Sequence, residues 1–123
     1  MFEDVAQEVL LEEAVYELAR AMEADYASWN QACADRKDGE LSDWQKQQIA
    51  DFKIEVQNGN KYYKLVGKGS VKGFVCKTDN DKKGFQVGDL LKAAGYNAPA
   101  TNFARGTVFD ANTWNSVRWT GIG

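Results

Sequence analysis

The stretch that decides the fold is KYYKLVGKGSVKGFVCK, residues 61–77. Two runs rich in β-branched and aromatic side chains, residues 61–66 and 71–77, flank the tetrapeptide Gly67-Lys68-Gly69-Ser70. Such runs are typical of strands, and a short glycine-rich connection between them is typical of a hairpin turn. The sequence therefore predicts an antiparallel β-hairpin at the centre of the chain.

Towards the carboxyl end the pattern predicts two short helices and a closing strand. Residues 89–94 read as a helix closed by Gly95. Asn97 is placed to cap a second helix that carries Pro99 in its first turn and ends at Arg105-Gly106. Residues 117–120 predict a last strand, so residues 61–123 are expected to form an α+β module with a small antiparallel sheet.

Towards the amino end the period changes to that of a helix. No glycine or proline interrupts residues 3–36, and an apolar stripe recurs at helical spacing: it consists of Leu11, Val15, Leu18, Met22 and Trp29. Ser42 and Gln45 match a capping box at the start of a second helix, which is expected to run through Val56 and to end at Asn58-Gly59-Asn60. Residues 1–57 are therefore predicted to form an antiparallel helical hairpin.

The net charge of −3 conceals two oppositely charged segments. Residues 1–40 contain eleven acidic residues against three basic ones, a net charge of −8. Residues 41–123 contain seven acidic residues against twelve basic ones, a net charge of +5. This asymmetry indicates either two surfaces with separate tasks or two segments that attract each other.

Several classes of protein are disfavoured by composition. The chain contains no histidine, which removes the commonest general base, the usual catalytic triads and most zinc sites. We therefore expect no enzyme, no metal and no cofactor. The acidic start does not resemble a secretory signal, and no apolar run is long enough to cross a bilayer. These features predict a cytoplasmic protein in which Cys33 and Cys76 are reduced, with a single disulfide as the alternative.

Two sets of candidate contact residues emerge. The first consists of acidic residues of the long helix, through whose carboxylates a partner protein would bind: Glu8, Glu12, Glu13, Glu17 and Glu23. The second would contact nucleic acid through the basic hairpin and a helix-turn-helix-like segment: Lys61, Lys64, Lys72, Asn102 and Arg105. The lysines are equally compatible with protection of an edge strand or with docking of the chain's own acidic helix.

Residues 61–121 resemble a small domain of uncharacterised accessory proteins of tailed bacteriophages. The matching residues are Phe74-Val75-Cys76-Lys77, Val87-Gly88-Asp89-Leu90-Leu91-Lys92-Ala93-Ala94-Gly95-Tyr96-Asn97-Ala98-Pro99-Ala100, Phe103-Ala104-Arg105-Gly106 and Arg118-Trp119-Thr120-Gly121. The resemblance covers about half the chain and leaves the acidic helices outside it. It implies a phage origin, a bacterial host cytoplasm and stoichiometric binding to a host machine, and it carries no known functional residues.

Three functional hypotheses follow. The first is a non-catalytic phage-type protein that binds and inhibits or modulates a host macromolecular complex through its acidic helix, because carboxylates can take the place of phosphates. The second is a nucleic-acid-binding protein that uses the basic module. The third is a virion or assembly component whose long N-terminal helix oligomerises, with a homodimer through that helix as one form.

Overall fold

The computed structural model describes the backbone of residues 2–80 and 82–123, and the side chains from residue 9 onward within those ranges. It shows an α+β protein, as expected. Its helices and strands, in chain order, are α1 Phe2–Asp35, α2 Asp43–Asp51, β1 Ile54–Asn58, β2 Tyr62–Gly67, β3 Ser70–Cys76, β4 Leu90–Leu91, β5 Ala93–Gly95, β6 Ala98–Pro99, β7 Val117–Arg118 and β8 Gly121–Ile122, with one 3₁₀ turn at Ala111–Thr113.

The predicted central hairpin is confirmed as β2 and β3 of a four-stranded antiparallel sheet in the order β1-β2-β3-β4. Lys68 and Gly69 form its turn with φ angles of 50° and 76°. Positive φ at both central positions belongs to the turn type whose twist matches that of the flanking strands, and glycine adopts it without steric cost. Residues 61–77 therefore supply the two inner strands of the sheet, with β1 and β4 at its edges.

The long N-terminal helix is also confirmed, and its apolar stripe packs on the sheet. Four of the five stripe residues are buried, and Tyr26 extends the stripe by one turn. They share one hydrophobic cluster with Ile54, Leu65 and Val75 of the sheet. The main core therefore combines residues of α1 with residues of β1, β2 and β3.

The predicted helical hairpin is wrong in its second arm. The capping box at Ser42 is present, but α2 has nine residues, buries none of them and ends at Asp51. Phe52 leaves the helix in an extended conformation, and the chain continues as β1, paired with β2. Ile54 and Val56 are β-branched and alternate with polar residues. Both features favour a strand paired with β2 over another turn of helix.

The two short helices predicted over residues 89–105 are also wrong, and the helix-turn-helix disappears with them. Leu90 and Leu91 form β4 against β3, and residues 93–99 form the small β5–β6 hairpin. Consecutive strand residues point to opposite faces, so Leu90 enters the core beside α1 while Leu91 enters a second cluster with Phe74. A helix would not place both leucines, each fully buried, on opposite sides of one sheet.

The sheet thus has two covered faces. The near face packs on α1. The far face carries the second cluster, formed by Phe74, Cys76, Phe85 and Leu91, with Ala93 and Ala104 packed against it. The predicted closing strand appears as the short β7, paired with β8, and Ile122 of β8 reaches the main core. Within the described residues, no helix is long and apolar enough to cross a membrane.

Candidate binding surfaces

The outward side of α1 carries an open groove near its N-terminal end. Its lining residues are Val9, Glu12, Glu13, Tyr16, Glu17 and Arg20. Val9 and Tyr16 are 48% and 44% exposed, so two apolar side chains stand among the carboxylates. We call this surface the acidic face. It lies opposite the stripe that packs on the sheet.

The carboxylates of the acidic face outnumber its basic lining residue, Arg20, by three to one among the described side chains. Among the described side chains the one ion pair is Arg20 Nη2 to Glu23 Oε2, at 3.1 Å. Glu12, Glu13 and Glu17 are exposed and take no part in it. Glu13 and Glu17 are four residues apart, a spacing at which like charges destabilise a helix slightly. The acidic face is therefore charged at some cost to the stability of the helix.

Of the five predicted acidic contact residues, Glu12, Glu13 and Glu17 line this face and Glu23 does not. The side chain of Glu8 lies outside those that the structure describes. Glu23 is only 14% exposed at its side chain and accepts a hydrogen bond from the backbone N–H of Ile54 at 2.9 Å. The Arg20 guanidinium donates to the Ile54 carbonyl at 3.2 Å. Glu23 therefore ties α1 to the start of β1, and its carboxylate is not turned outward for a partner.

The predicted nucleic-acid contacts do not come together as one set. Lys72 is the extra residue of a β-bulge in β3, since Val71 pairs with Val66 and Gly73 pairs with Leu65. It is only 8% exposed, its Nζ lies 5.9 Å from the Trp119 ring centroid, and burial, followed by the charge of Lys68, lowers the pKa of its ammonium. Lys72 is thus mostly buried, unlike the exposed lysine that the prediction required.

The other four residues lie on the surface. Lys61 is exposed beside β2, and Lys64 is half-buried on the far face. Asn102 and Arg105 lie in a loop, not in a helix, and Arg105 Nη2 donates to Asn102 Oδ1 at 3.4 Å. Lys64, Asn102 and Arg105 each touch an exposed aromatic residue or its immediate neighbour.

Those aromatic residues are Tyr96 and Phe103, which sequence reasoning did not select as contacts. Tyr96 is 56% exposed and Phe103 is 55% exposed. In the sequence, Gly95-Tyr96-Asn97 reads as a glycine turn between helices. As the tip of a hairpin, the same tripeptide presents its aromatic ring to solvent. The sequence feature that could have indicated an exposed ring is an aromatic residue, Tyr96, between the turn-forming residues Gly95 and Asn97.

The two cysteines differ in accessibility. Both are free thiols, Cys33 half-buried on α1 and Cys76 buried in the far-face cluster. Burial, followed by the charges of Asp89 and Asp79, raises the pKa of the Cys76 thiol to about 12. Because the folded thiol holds its proton while an unfolded one loses it above its ordinary value of 9.0, this contribution to stability is complete below pH 9 and falls as the pH rises towards 12.

Thiol titration at pH 8 with a water-soluble disulfide reagent is expected to label one cysteine in the folded protein and both in denaturant. Cys33 should react first, because the thiolate is the reactive species and Cys76 is both buried and protonated. Cys33→Ser should abolish the labelling of the folded protein. Rapid labelling of Cys76 in folded Cys33→Ser would contradict the burial described for the far face.

Among the described residues, no group of three or more His, Cys, Asp or Glu side chains is arranged to hold a metal ion. Comparison with known proteins adds no relative, since no family model, no curated protein and no solved structure matches the chain significantly. The resemblance to phage accessory proteins therefore stays an expectation from the sequence.

Proposed function

We propose that this chain is a non-catalytic binding protein that docks its acidic face onto a positively charged site of a host macromolecular complex and thereby inhibits or modulates it. The observation that carries the proposal is the composition of that face. Glu12, Glu13 and Glu17 are exposed and form no ion pair with a described side chain, and the exposed apolar side chains of Val9 and Tyr16 stand among them.

Helix stability does not explain this arrangement. A solubility role would be served equally by mixed charges, and pairs of opposite sign at i and i+4 would stabilise α1 where Glu13 and Glu17 repel. The uncompensated charge becomes favourable once lysines or arginines of a partner approach it. The apolar side chains that line the groove supply contact area that excludes water from such pairs.

The sign of the charge favours a particular kind of site. A row of carboxylates on a rigid helix presents negative charge at fixed spacing, as a nucleic-acid backbone does, and carboxylates accept the bidentate hydrogen bonds of arginine as phosphates do. Self-association through the acidic face is disfavoured for the same reason, because two copies would bring the carboxylates together. The partner is therefore a protein surface that normally binds nucleic acid. Because the resemblance implies a phage origin, we expect this surface to belong to a complex of the bacterial host.

Capture from a bacterial lysate tests the proposal with two charge-matched variants. Glu12→Lys/Glu13→Lys/Glu17→Lys reverses the acidic face. Its control reverses three exposed acidic residues elsewhere: Glu40, Asp51 and Glu55, each changed to Lys. We expect a protein retained by the wild type and by the control but lost from the acidic-face variant and displaced by heparin. Equal retention by all three proteins would overturn the proposal.

A further inference from the structure

We propose that the side of the sheet opposite α1 carries a second binding surface, for single-stranded nucleic acid, built on two cation–aromatic pairs. The pairs are Lys64 with Tyr96 and Arg105 with Phe103. Both belong to, or touch, the segment 92–105, which lies over the far face because Ala93 and Ala104 pack against the far-face cluster. We call this surface the basic face, and it is independent of the acidic face.

The first pair stands at the tip of the β5–β6 hairpin. Tyr96 and Asn97 are the two residues between these strands. Lys64 Nζ lies 3.5 Å from the Tyr96 ring centroid and donates to Asn97 Oδ1 at 2.8 Å. The lysine covers one face of the ring, while more than half of Tyr96 remains exposed. A base can therefore stack on the ring with a cation already beside it.

The second pair repeats this arrangement in the following loop. The Arg105 guanidinium carbon lies 3.9 Å from the Phe103 ring centroid. Asn102 Oδ1 accepts hydrogen bonds from the Phe103 N–H at 3.1 Å and from Arg105, which fixes the loop around the pair. Phe103 is exposed to the same extent as Tyr96.

The charge of this part of the chain and the distance between the two rings both suit one extended strand of nucleic acid. Residues 61–105 contain nine Lys and Arg against three Asp. Two of the lysines do not belong to the basic face, since Lys72 is mostly buried and Lys68 Nζ donates to Tyr26 of α1. The Asp79 and Asp89 carboxylates already accept backbone N–H groups of the adjoining loop. Tyr96 and Phe103 are seven residues apart, so their backbones are separated by at most about 25 Å. At roughly 3.4 Å for each nucleotide stacked as in a duplex, about seven nucleotides at most cover that distance, and fewer do so if the strand is more extended; both are within the usual site sizes for single strands.

The exposed rings decide between single-stranded and duplex nucleic acid. A duplex buries the faces of its bases in its own stack, so it can use the cations but not Tyr96 or Phe103. A single strand uses both, and stacking tolerates any base sequence. The basic face should therefore prefer single strands and show little sequence preference.

Fluorescence anisotropy with a labelled 12-nucleotide oligothymidylate at low salt tests this surface on the full chain. Binding is expected, with weaker binding of the matching duplex. Tyr96→Ala and Phe103→Ala should each weaken binding of the single strand at least about fivefold. Trp44→Ala, which removes a 68% exposed ring from α2, should leave it unchanged. Lys64→Gln should lower the slope of log affinity against log salt by about 0.7.

Any one of four results would overturn the inference. These are no binding of the oligonucleotide at low salt, binding of the duplex as tight as that of the single strand, wild-type affinity in Tyr96→Ala and Phe103→Ala, or a loss of affinity in Trp44→Ala as large as in those two variants. Reversal of Glu12, Glu13 and Glu17 should leave oligonucleotide binding intact. Failure of the basic face and failure of the acidic face are thus measured separately.

Discussion

Replacement of Phe52 by alanine is expected to lower the free energy of unfolding by about 3–5 kcal/mol. Phe52 is the residue at which α2 gives way to β1, and it is 1% exposed. Its ring centroid lies 4.5 Å from that of Tyr26 on α1 and 6.2 Å from that of Trp119 near the carboxyl end. The truncation would leave a cavity where three distant parts of the chain meet, and chemical denaturation followed by circular dichroism measures the loss.

Trp44→Ala is the matched control for this substitution. It removes a larger aromatic ring from α2, the helix that ends just before Phe52, but Trp44 is 68% exposed, so the change in stability should remain within about 0.5 kcal/mol. A small effect of Phe52→Ala, or an equal effect of the two substitutions, would contradict the junction described between α1, β1 and the last strands.

Replacement of Glu23 by alanine is expected to cost about 1–3 kcal/mol, because it leaves the partly buried Ile54 N–H without an acceptor. The ion pair with Arg20 adds little, since Arg20 is 56% exposed at its side chain. Glu23→Gln should therefore recover most of the loss, because the amide oxygen can accept the same hydrogen bond. The three free energies are obtained from denaturation curves.

Glu13→Ala provides the contrast, since Glu13 is exposed on the acidic face and repels Glu17. Its stability should be unchanged or slightly higher. If Glu23→Ala behaved in the same way as Glu13→Ala, Glu23 would belong with the acidic face, as its position in the sequence suggested, and not with the attachment of α1 to β1.

The elements that sequence reasoning predicted are those with strong local signals. A helix of 34 residues without glycine or proline, a capping box at Ser42 and a hairpin turn with glycine at position 69 each depend on neighbouring residues. Local propensity and the final structure agree in these places, so the pattern alone sufficed for α1, the start of α2, β2 and β3.

The errors lie where pairing with a distant strand overrides local preference. Residues 53–58 offered Val56 in helical register with Phe52, yet Ile54 and Val56 also alternate as a strand does, and β2 was the available partner. Leu90, Leu91, Ala93 and Ala94 are good helix formers, but β3 takes the leucines. No local pattern in one sequence reveals that β3 needs a neighbour on its open edge.

The site residues fall into the same two groups: some could be predicted from the local pattern, and others depend on pairing with distant parts of the chain. Exposure of Glu12, Glu13 and Glu17 follows from the helical period, because they lie away from the stripe of Leu11, Val15 and Leu18. Burial of Lys72 depends on a bulge, and the attachment of Glu23 depends on where β1 begins. Tyr96 and Phe103 became visible as surface residues only when the predicted helices proved to be a hairpin and a loop.

If the charges of the acidic face bind a basic site, a captured partner should bind Glu12→Gln/Glu13→Gln/Glu17→Gln more weakly than wild type at low salt. These changes keep the shape of each side chain and remove only its charge. At about 0.2–1 kcal/mol for each of three exposed pairs, the affinity should fall roughly three- to a hundred-and-fiftyfold, with the helix as stable as before or more so. Equal affinity of the two proteins would contradict this expectation.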